Sequence, residues 1–251
     1  MDTTKKFDGY ADDYTQGRPS YAMELIDCFY EKFGLSKTSV IADIGSGTGK
    51  FSRHLLDRGN EVYSVEPNDD MRRVACDELG GYEKFHSVNG GAENTTLTND
   101  SVDFITTAQA FHWFDVEKFR DECSRIIKND GRVALIWNVR DESDPINKDL
   151  RNVYEKYCPN FKGFAGGIVK DDQRIKDFFN NQYDYVSFSN SLFYDKDKFI
   201  ARSLSGSYSI KEGDEGYEEY MKEIIEIFDK YSDGKIVKID NDSVAYIGCV
   251  K

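Results

Sequence analysis

The sequence predicts an α/β fold in which a doubly wound, mostly parallel sheet is covered by helices on both faces. Three observations support this fold class. Short apolar runs alternate with segments of helical periodicity, a glycine-rich turn follows the first run, and no internal repeat or linker divides the 251 residues. A chain of this length buries roughly 70–75% of its unfolded surface, so it can form a core without disulfides or metal ions.

The first 140 residues contain five predicted strands separated by predicted helices. Strands that alternate with helices wind right-handedly into a parallel sheet, which explains the predicted fold class. The predicted strands are 40–44, 61–65, 85–88, 102–107 and 132–138. The predicted helices are 20–33, which Ser20 can cap, 50–56, a third whose apolar face holds Met71, Val74, Ala75 and Leu79, and 116–127.

After residue 138 the sequence changes to longer polar helices and loops. Residues 185–194 alternate like a strand with one exposed face, 216–231 have strong helical periodicity, and 244–250 are predicted as the last strand. A late antiparallel strand is a common addition to a parallel sheet. We therefore expect one domain over 1–251, with N-terminal helices in 1–34, a core in 35–140 and an elaboration in 141–251.

The charge of the chain favours a small-molecule partner over a nucleic acid. There are 46 acidic and 33 basic residues, a formal net charge of −13, whereas affinity for nucleic acid depends on clustered Lys and Arg. No apolar run is long enough to span a bilayer and no secretory leader is evident, so we expect a cytoplasmic protein without a membrane partner. The five cysteines have no C-x-x-C spacing, and no cluster has metal-ligand spacing, so we expect no metal. No pattern indicates the oligomeric state.

The glycine-rich turn, Asp43-Ile44-Gly45-Ser46-Gly47-Thr48-Gly49, lies between the first strand and the next helix, where doubly wound folds bind nucleotides. Its third glycine comes one residue too early for a dinucleotide-binding G-x-G-x-x-G, and the pattern of a P-loop is absent. A carboxylate at Asp43 disfavours a pyrophosphate but can attract an ammonium or a sulfonium. The alternative is a turn whose glycines only permit a positive φ and close packing.

Glu66 lies 21 residues after Gly45 and closes the second strand. An acidic side chain at this place can accept hydrogen bonds from both hydroxyls of an unphosphorylated ribose. The turn and Glu66 together favour a cationic nucleoside ligand.

These motifs, with Gly91-Ala92-Glu93 and Thr107-Ala108-Gln109-Ala110-Phe111-His112-Trp113, resemble a class I S-adenosylmethionine-dependent methyltransferase with a Rossmann-like sheet. The resemblance is nearest to the small-molecule branch that includes trans-aconitate methyltransferase-like proteins, and it extends to 7–21 and 204–209. It implies S-adenosyl-L-methionine as cofactor and S-adenosyl-L-homocysteine as product. The residues that it places around the cofactor are Tyr14, Arg18, Asp43, Gly45, Ser46, Gly47, Glu66, Pro67, Met71, Ala92, Glu93, Ala108 and Gln109.

The acceptor side is less well defined by the sequence. His112 follows the fourth strand between two aromatic residues and is the best candidate for a general base, with a purely structural role as the alternative. The aromatic residues expected to line an acceptor pocket are Tyr10, Phe111, Trp113, Phe164 and Tyr208. We expect in-line O-methylation of a carboxylate or hydroxyl of a small molecule. The alternatives are a non-catalytic module that binds S-adenosylmethionine, and an RNA or protein methyltransferase.

Overall fold

The computed structural model describes residues 19–164, 170–206 and 208–251, which form nine strands and eight α-helices. The strands are β1 (Val40–Ile44), β2 (Glu61–Val65), β3 (Phe85–Val88), β4 (Val102–Ala108), β5 (Ile127–Arg140), β6 (Tyr183–Ser189), β7 (Leu192–Tyr194), β8 (Val237–Ile239) and β9 (Asn241–Gly248). The helices are α1 (Met23–Lys32), α2 (Lys50–Asp57), α3 (Asp69–Leu79), α4 (Val116–Ile126), α5 (Pro145–Tyr157), α6 (Gln173–Phe178), α7 (Lys196–Leu204) and α8 (Tyr217–Tyr231).

Seven strands form the main sheet in the order β3-β2-β1-β4-β5-β9-β6. The first five strands pair in parallel, and β9 runs antiparallel to both of its neighbours, β5 and β6. The strand order therefore reverses direction between β1 and β4, which brings the loops after these strands together at one edge. The predicted fold class, including the late antiparallel strand, is confirmed.

Helices cover both faces of the sheet because apolar side chains alternate along the strands. On one face, α1 and α2 bury side chains such as Phe29 and Leu55 against Ile41 and Phe104. On the other face, α4 buries Phe119 in a separate core cluster. Two apolar clusters with the sheet between them are what a doubly wound fold requires.

The C-terminal part contains a third apolar cluster, which lies outside the main sheet. It is formed by α5, α7 and α8 together with β8, and includes the buried residues Tyr154, Phe199 and Tyr220. Strands β7 and β8 pair with each other in a separate two-stranded sheet. Most of this cluster belongs to the segment of the chain between β6 and β9.

Several predicted element boundaries were wrong. The strand predicted over 132–138 extends over Ile127–Arg140, and the one predicted over 244–250 lies at Asn241–Gly248. The strand predicted over 185–194 is two strands, because after Ser189 the side chain of Asn190 bonds to Asn138 at 3.1 Å and the chain leaves the sheet. The first helix begins at Met23 without a side-chain cap, since the Ser20 hydroxyl bonds to His54 Nε2 at 2.8 Å instead. Among the described residues, none of the helices combines the length and the apolar character that a membrane crossing requires.

Candidate functional site

A cavity of about 230 Å³ opens at the carboxyl ends of β1, β2 and β4, the edge where ligands of open α/β sheets bind. The turns after these three strands and the segment 91–93 form its wall. All eleven described residues that the sequence places around a cofactor line this cavity: Asp43, Gly45, Ser46, Gly47, Glu66, Pro67, Met71, Ala92, Glu93, Ala108 and Gln109. Trp113 also lines it.

The turn between β1 and α2 contains three glycines with positive φ, Gly45 at 68°, Gly47 at 57° and Gly49 at 77°. The N–H groups of Gly45 and Ser46 donate to the Val65 carbonyl at 2.9 and 3.2 Å, which fixes the turn to the end of β2. A Cβ on Gly45 would lie 2.6 Å from the Cβ of Ala110, whereas a Cβ on Gly47 would meet nothing within 4 Å. Gly45 therefore permits close packing of two loops, and Gly47 leaves open space at the cavity wall.

Asp43 is completely buried at the end of β1. Its two carboxylate oxygens accept hydrogen bonds from the hydroxyls of Ser52 at 2.6 Å and Thr106 at 2.8 Å. Burial raises the pKa of Asp43 to about 6, and the nearby Glu66 carboxylate acts in the same direction. Asp43 thus joins β1, α2 and β4 behind the glycine turn, in addition to lining the cavity.

Glu66 faces the cavity with both carboxylate oxygens held in place. Oε2 accepts from the Gly47 N–H at 3.0 Å, and Oε1 accepts from the Asn68 N–H at 2.9 Å. Burial raises the pKa of this carboxyl group, while the two N–H donors oppose the shift. Each oxygen keeps a second lone pair, so the carboxylate can accept two further hydrogen bonds from a ligand.

The segment 91–93 is held by a short backbone bridge between Gly91 and Asn94. Behind it, buried Glu122 on α4 accepts from the N–H and hydroxyl of Thr95 at 2.7 and 2.6 Å. The side chain of Glu93 accepts from the Asp115 N–H at 2.9 Å, so part of its hydrogen-bonding capacity is used at the start of α4. The segment therefore presents Ala92 to the cavity from a fixed position.

Gln109 follows β4 in a left-handed conformation, with φ of 59°. Its N–H donates to the Ile136 carbonyl at 2.9 Å, and its side-chain Nε2 donates to the Asn138 carbonyl at 3.2 Å. Strained non-glycine residues of this kind concentrate at functional sites. Gln109 and Asn138 both line the cavity near the end of β5.

His112 is not among the described residues that line the cavity. It lies in a single 3₁₀ turn, Phe111–Trp113, with its ring centroid 4.8 Å from that of Trp113. Its role as a base stays a prediction, and this position favours the structural alternative.

Three of the aromatic residues predicted to line an acceptor pocket lie elsewhere. Phe111 is 1% exposed and packs edge-on against Phe178 in the core. Phe164 and Tyr208 pack around Tyr154 in the third apolar cluster, with ring centroids 6.1 and 5.3 Å from it. The structure corrects these predictions, since aromatic side chains fill cores as readily as pockets. Tyr10, Tyr14 and Arg18 lie outside the described residues.

The sequence interpretation missed several residues that line the cavity. Asn138 lies near the end of β5 at the same edge as Gln109, so its position as the last residue of the predicted strand 132–138 was an available signal. Arg202 reaches the cavity from α7, and no local pattern connects that helix with the glycine turn. Pro19 and Tyr21, before α1, complete the wall on the N-terminal side. No group of three or more potential metal-ligating side chains occurs among the described residues.

Comparison with known proteins agrees with this geometry. A family model described as a methyltransferase domain matches residues 42–135, which include the turn, Glu66 and Gln109. An uncharacterized methyltransferase of Schizosaccharomyces pombe is 30% identical over 196 residues, which span 76% of this chain and 72% of that protein. The chain belongs to the class I S-adenosylmethionine-dependent methyltransferases.

A Saccharomyces cerevisiae protein named a probable S-adenosylmethionine-dependent methyltransferase is 30% identical to this methyltransferase over 165 residues, 64% of the chain and 56% of that protein. The crystal structure of the YcgJ protein from Bacillus subtilis aligns with a TM-score of 0.58 at 21% identity, covering 90% and 97% of the two chains, which shows a shared fold. The matches span 50% to 72% of the curated relatives' own lengths. The narrower resemblance to trans-aconitate methyltransferase-like proteins stays a prediction.

The residues of the cavity fit the methyl donor of this family. Glu66 has lone pairs available for two ribose hydroxyls, and Gly47 leaves space beside it. The buried Ser46 hydroxyl has no hydrogen-bond partner among the described residues, so it can bind a polar ligand group. Met71 and Ala92 supply apolar surface for a base.

Proposed function

We propose that this methyltransferase transfers the methyl group of S-adenosylmethionine to a carboxylate oxygen of a small organic acid. The observation that supports an acidic acceptor is the position of Arg202. This residue lines the cavity but comes from α7, in the other half of the chain from the glycine turn. A guanidinium recognises a carboxylate through two parallel N–H···O bonds. This favours a carboxylate over a hydroxyl, the other acceptor oxygen that the sequence suggests.

In this proposal the cofactor is held by the end of β2 and the glycine turn. Glu66 would accept hydrogen bonds from the ribose hydroxyls, while Gly45 and Gly47 admit the methionine part. Met71 and Ala92 would flank the adenine. The amide of Gln109 would approach the amino acid end of the cofactor, as the family resemblance implies.

The bound sulfonium supplies a methyl group that is already activated for in-line transfer. The protein must therefore align the acceptor and exclude water. A carboxylate acceptor is ionised at neutral pH and needs no general base. The lining residues are consistent with a reaction that needs no general base. The carboxylates of Asp43, Glu66 and Glu93 each accept protein hydrogen bonds, and no histidine is among the described lining residues.

The test is methyl transfer from labelled S-adenosylmethionine to a panel of small carboxylic acids, each paired with the alcohol of the same skeleton. We expect labelled methyl esters from one or more acids. With the best acid, Arg202→Met should raise KM at least tenfold while the dissociation constant of S-adenosylhomocysteine changes less than twofold. Lys198→Met is the matched control, because Lys198 lies one turn earlier on α7 and pairs with Asp195.

Methylation of alcohols but not acids, or an unchanged KM in Arg202→Met, would contradict an acidic acceptor. Tight cofactor binding with no labelled product from a metabolite extract would support a non-catalytic binding module. Label in RNA or protein from the same extract would support a macromolecular acceptor instead.

A further inference from the structure

A second cavity, of about 360 Å³, shares no described lining residue with the cofactor cavity. It lies beside the carboxyl end of β5 and the start of β9. Successive strand residues point to opposite faces, so Trp137 and Val139 line this cavity while Asn138, between them, lines the cofactor cavity. Arg140 has the same parity as Asn138, but it is the last residue of β5 and lines the second cavity at the end of the strand. Its volume is within the usual range for small-molecule pockets, roughly 300–1,000 Å³.

Two buried hydrogen-bond donors line this second cavity. Trp137 is 1% exposed, and its indole N–H has no hydrogen-bond partner among the described residues. Arg140 is 8% exposed, and its guanidinium forms no ion pair with any described residue. Its hydrogen bond to Asn147 Oδ1 is long, at 3.5 Å. The ring of Phe164, 4.5 Å from the guanidinium carbon, supports one side of this cation but accepts no conventional hydrogen bond. Buried donors of this kind normally have an acceptor, which a ligand can supply.

Lys170 adds a second cation to the lining, which also carries three carboxylates, Asp141, Glu142 and Asp242. Lys170 lines the cavity with its ammonium 5.0 Å from the ring centroid of Tyr185, and it forms no ion pair with any residue that the structure describes. Each acidic lining residue has a donor of its own. Asp141 accepts from Ser143, Glu142 pairs with Arg151, and Asp242 accepts from Ser187.

The remaining wall is apolar and aromatic, with Val139, Val244, Tyr185 and Tyr246. Such a wall suits a compact hydrocarbon body better than a free phosphate, which would require more polar contacts. We propose that this cavity is a second binding site, for a small organic carboxylate with an apolar body, separate from the site of methyl transfer. The carboxylate would accept hydrogen bonds from Arg140 and Trp137.

The proposal can be tested with cyclohexanecarboxylate as the probe and cyclohexanecarboxamide as its neutral match. Calorimetry would use the full chain saturated with S-adenosylhomocysteine, which occupies the cofactor cavity. We expect the carboxylate to bind at least tenfold more tightly than the amide. The chain has two tryptophans, and Trp113 lines the other cavity, so in Trp113→Phe the emission of Trp137 should change as the carboxylate is added.

Variants locate the site. Arg140→Met should weaken carboxylate binding at least tenfold. Because Arg140 also packs on core rings, its loss could disturb the fold, so a second variant is included: Lys170→Gln, on the exposed rim, should weaken binding at least threefold. Arg132→Met is the matched control, since Arg132 is on the same strand and lies over the Phe33 ring at 5.9 Å but does not line the cavity. Arg202→Met should leave this binding unchanged, which separates the second site from an acidic acceptor in the cofactor cavity.

Three results would overturn the proposal. These are equal affinity for carboxylate and amide, loss of binding when S-adenosylhomocysteine is present, and unchanged affinity in both Arg140→Met and Lys170→Gln. Binding of inorganic phosphate with equal or higher affinity would also contradict it, because the apolar wall would then contribute nothing.

Discussion

At the end of β2, Glu66 accepts hydrogen bonds from two backbone N–H groups while its carboxylate faces the cavity. Glu66→Gln should preserve much of the local structure, since the amide oxygen can still accept one of these bonds. It removes the charge and one acceptor, so we expect the dissociation constant of S-adenosylhomocysteine to rise by about 10- to 100-fold, or ~1–3 kcal/mol. Calorimetry measures this change, with Glu61→Gln on the same strand as the control. Equal dissociation constants for the two variants would show that Glu66 does not contribute to cofactor binding.

The buried carboxyl group of Asp43 predicts a pH dependence of stability. Burial raises its pKa to about 6 in the folded chain, against about 3.9 for an exposed aspartate, so the folded state holds its proton to a higher pH than the unfolded state. Its contribution to stability is present below pH 4 and is lost as the pH rises through about 6, a change of about 3 kcal/mol. Asp43→Asn cannot ionise and should lack this loss. Denaturant unfolding of both chains between pH 4 and 7 measures the difference, and parallel pH profiles would contradict the shifted pKa.

At the scale of elements, the turn between β1 and α2 depends on close contact between two loops. Gly45→Ala would place a Cβ 2.6 Å from Ala110 in addition to straining a positive φ. We expect it to lower the free energy of unfolding by about 2–4 kcal/mol. Gly34→Ala is the matched control, because Gly34 has φ of 77° and open space around it; it should cost about 1 kcal/mol. Equal losses in the two variants, measured by denaturant unfolding, would show that the contact with Ala110 is unimportant.

Elements whose signals are local could be predicted from the sequence. The glycine turn, Glu66 and the strands before residue 108 are defined by short patterns, and their residues meet because the carboxyl ends of parallel strands share one edge. The split between β6 and β7 could not be predicted, because it depends on the contact of Asn190 with Asn138, 52 residues earlier. The aromatic residues Phe111, Phe164 and Tyr208 were misplaced for the same reason, since a sequence does not indicate which apolar surface a ring will meet.

Over the whole molecule, the sequence prediction is less accurate where the contacting residues lie further apart along the chain. The cofactor half is built from successive βα units whose strands pair with the next strand along the chain, except at the crossover from β3 to β4. The third apolar cluster joins α5 to α7 and α8, which lie about 50 to 80 residues further along, and Arg202 reaches the cavity from this distant part. For these reasons the residues that line the cavity near the glycine turn could be predicted from the sequence, whereas the position of Arg202 required the structure.

Strands β6 and β9 are antiparallel neighbours, and Ser189 pairs with Asp242 where one ends and the other begins. They are therefore the two strands of a β-hairpin, and the segment that connects them, 190–240, contains the helices α7 and α8. The closure entropy of a loop rises only slowly with its length. Such an insertion can therefore be lengthened, shortened or exchanged while the order of the strands in the sheet stays the same. Arg202 lies in this insertion, so under the proposed function an exchange of this one segment would change the acceptor while the glycine turn and Glu66 stay in place.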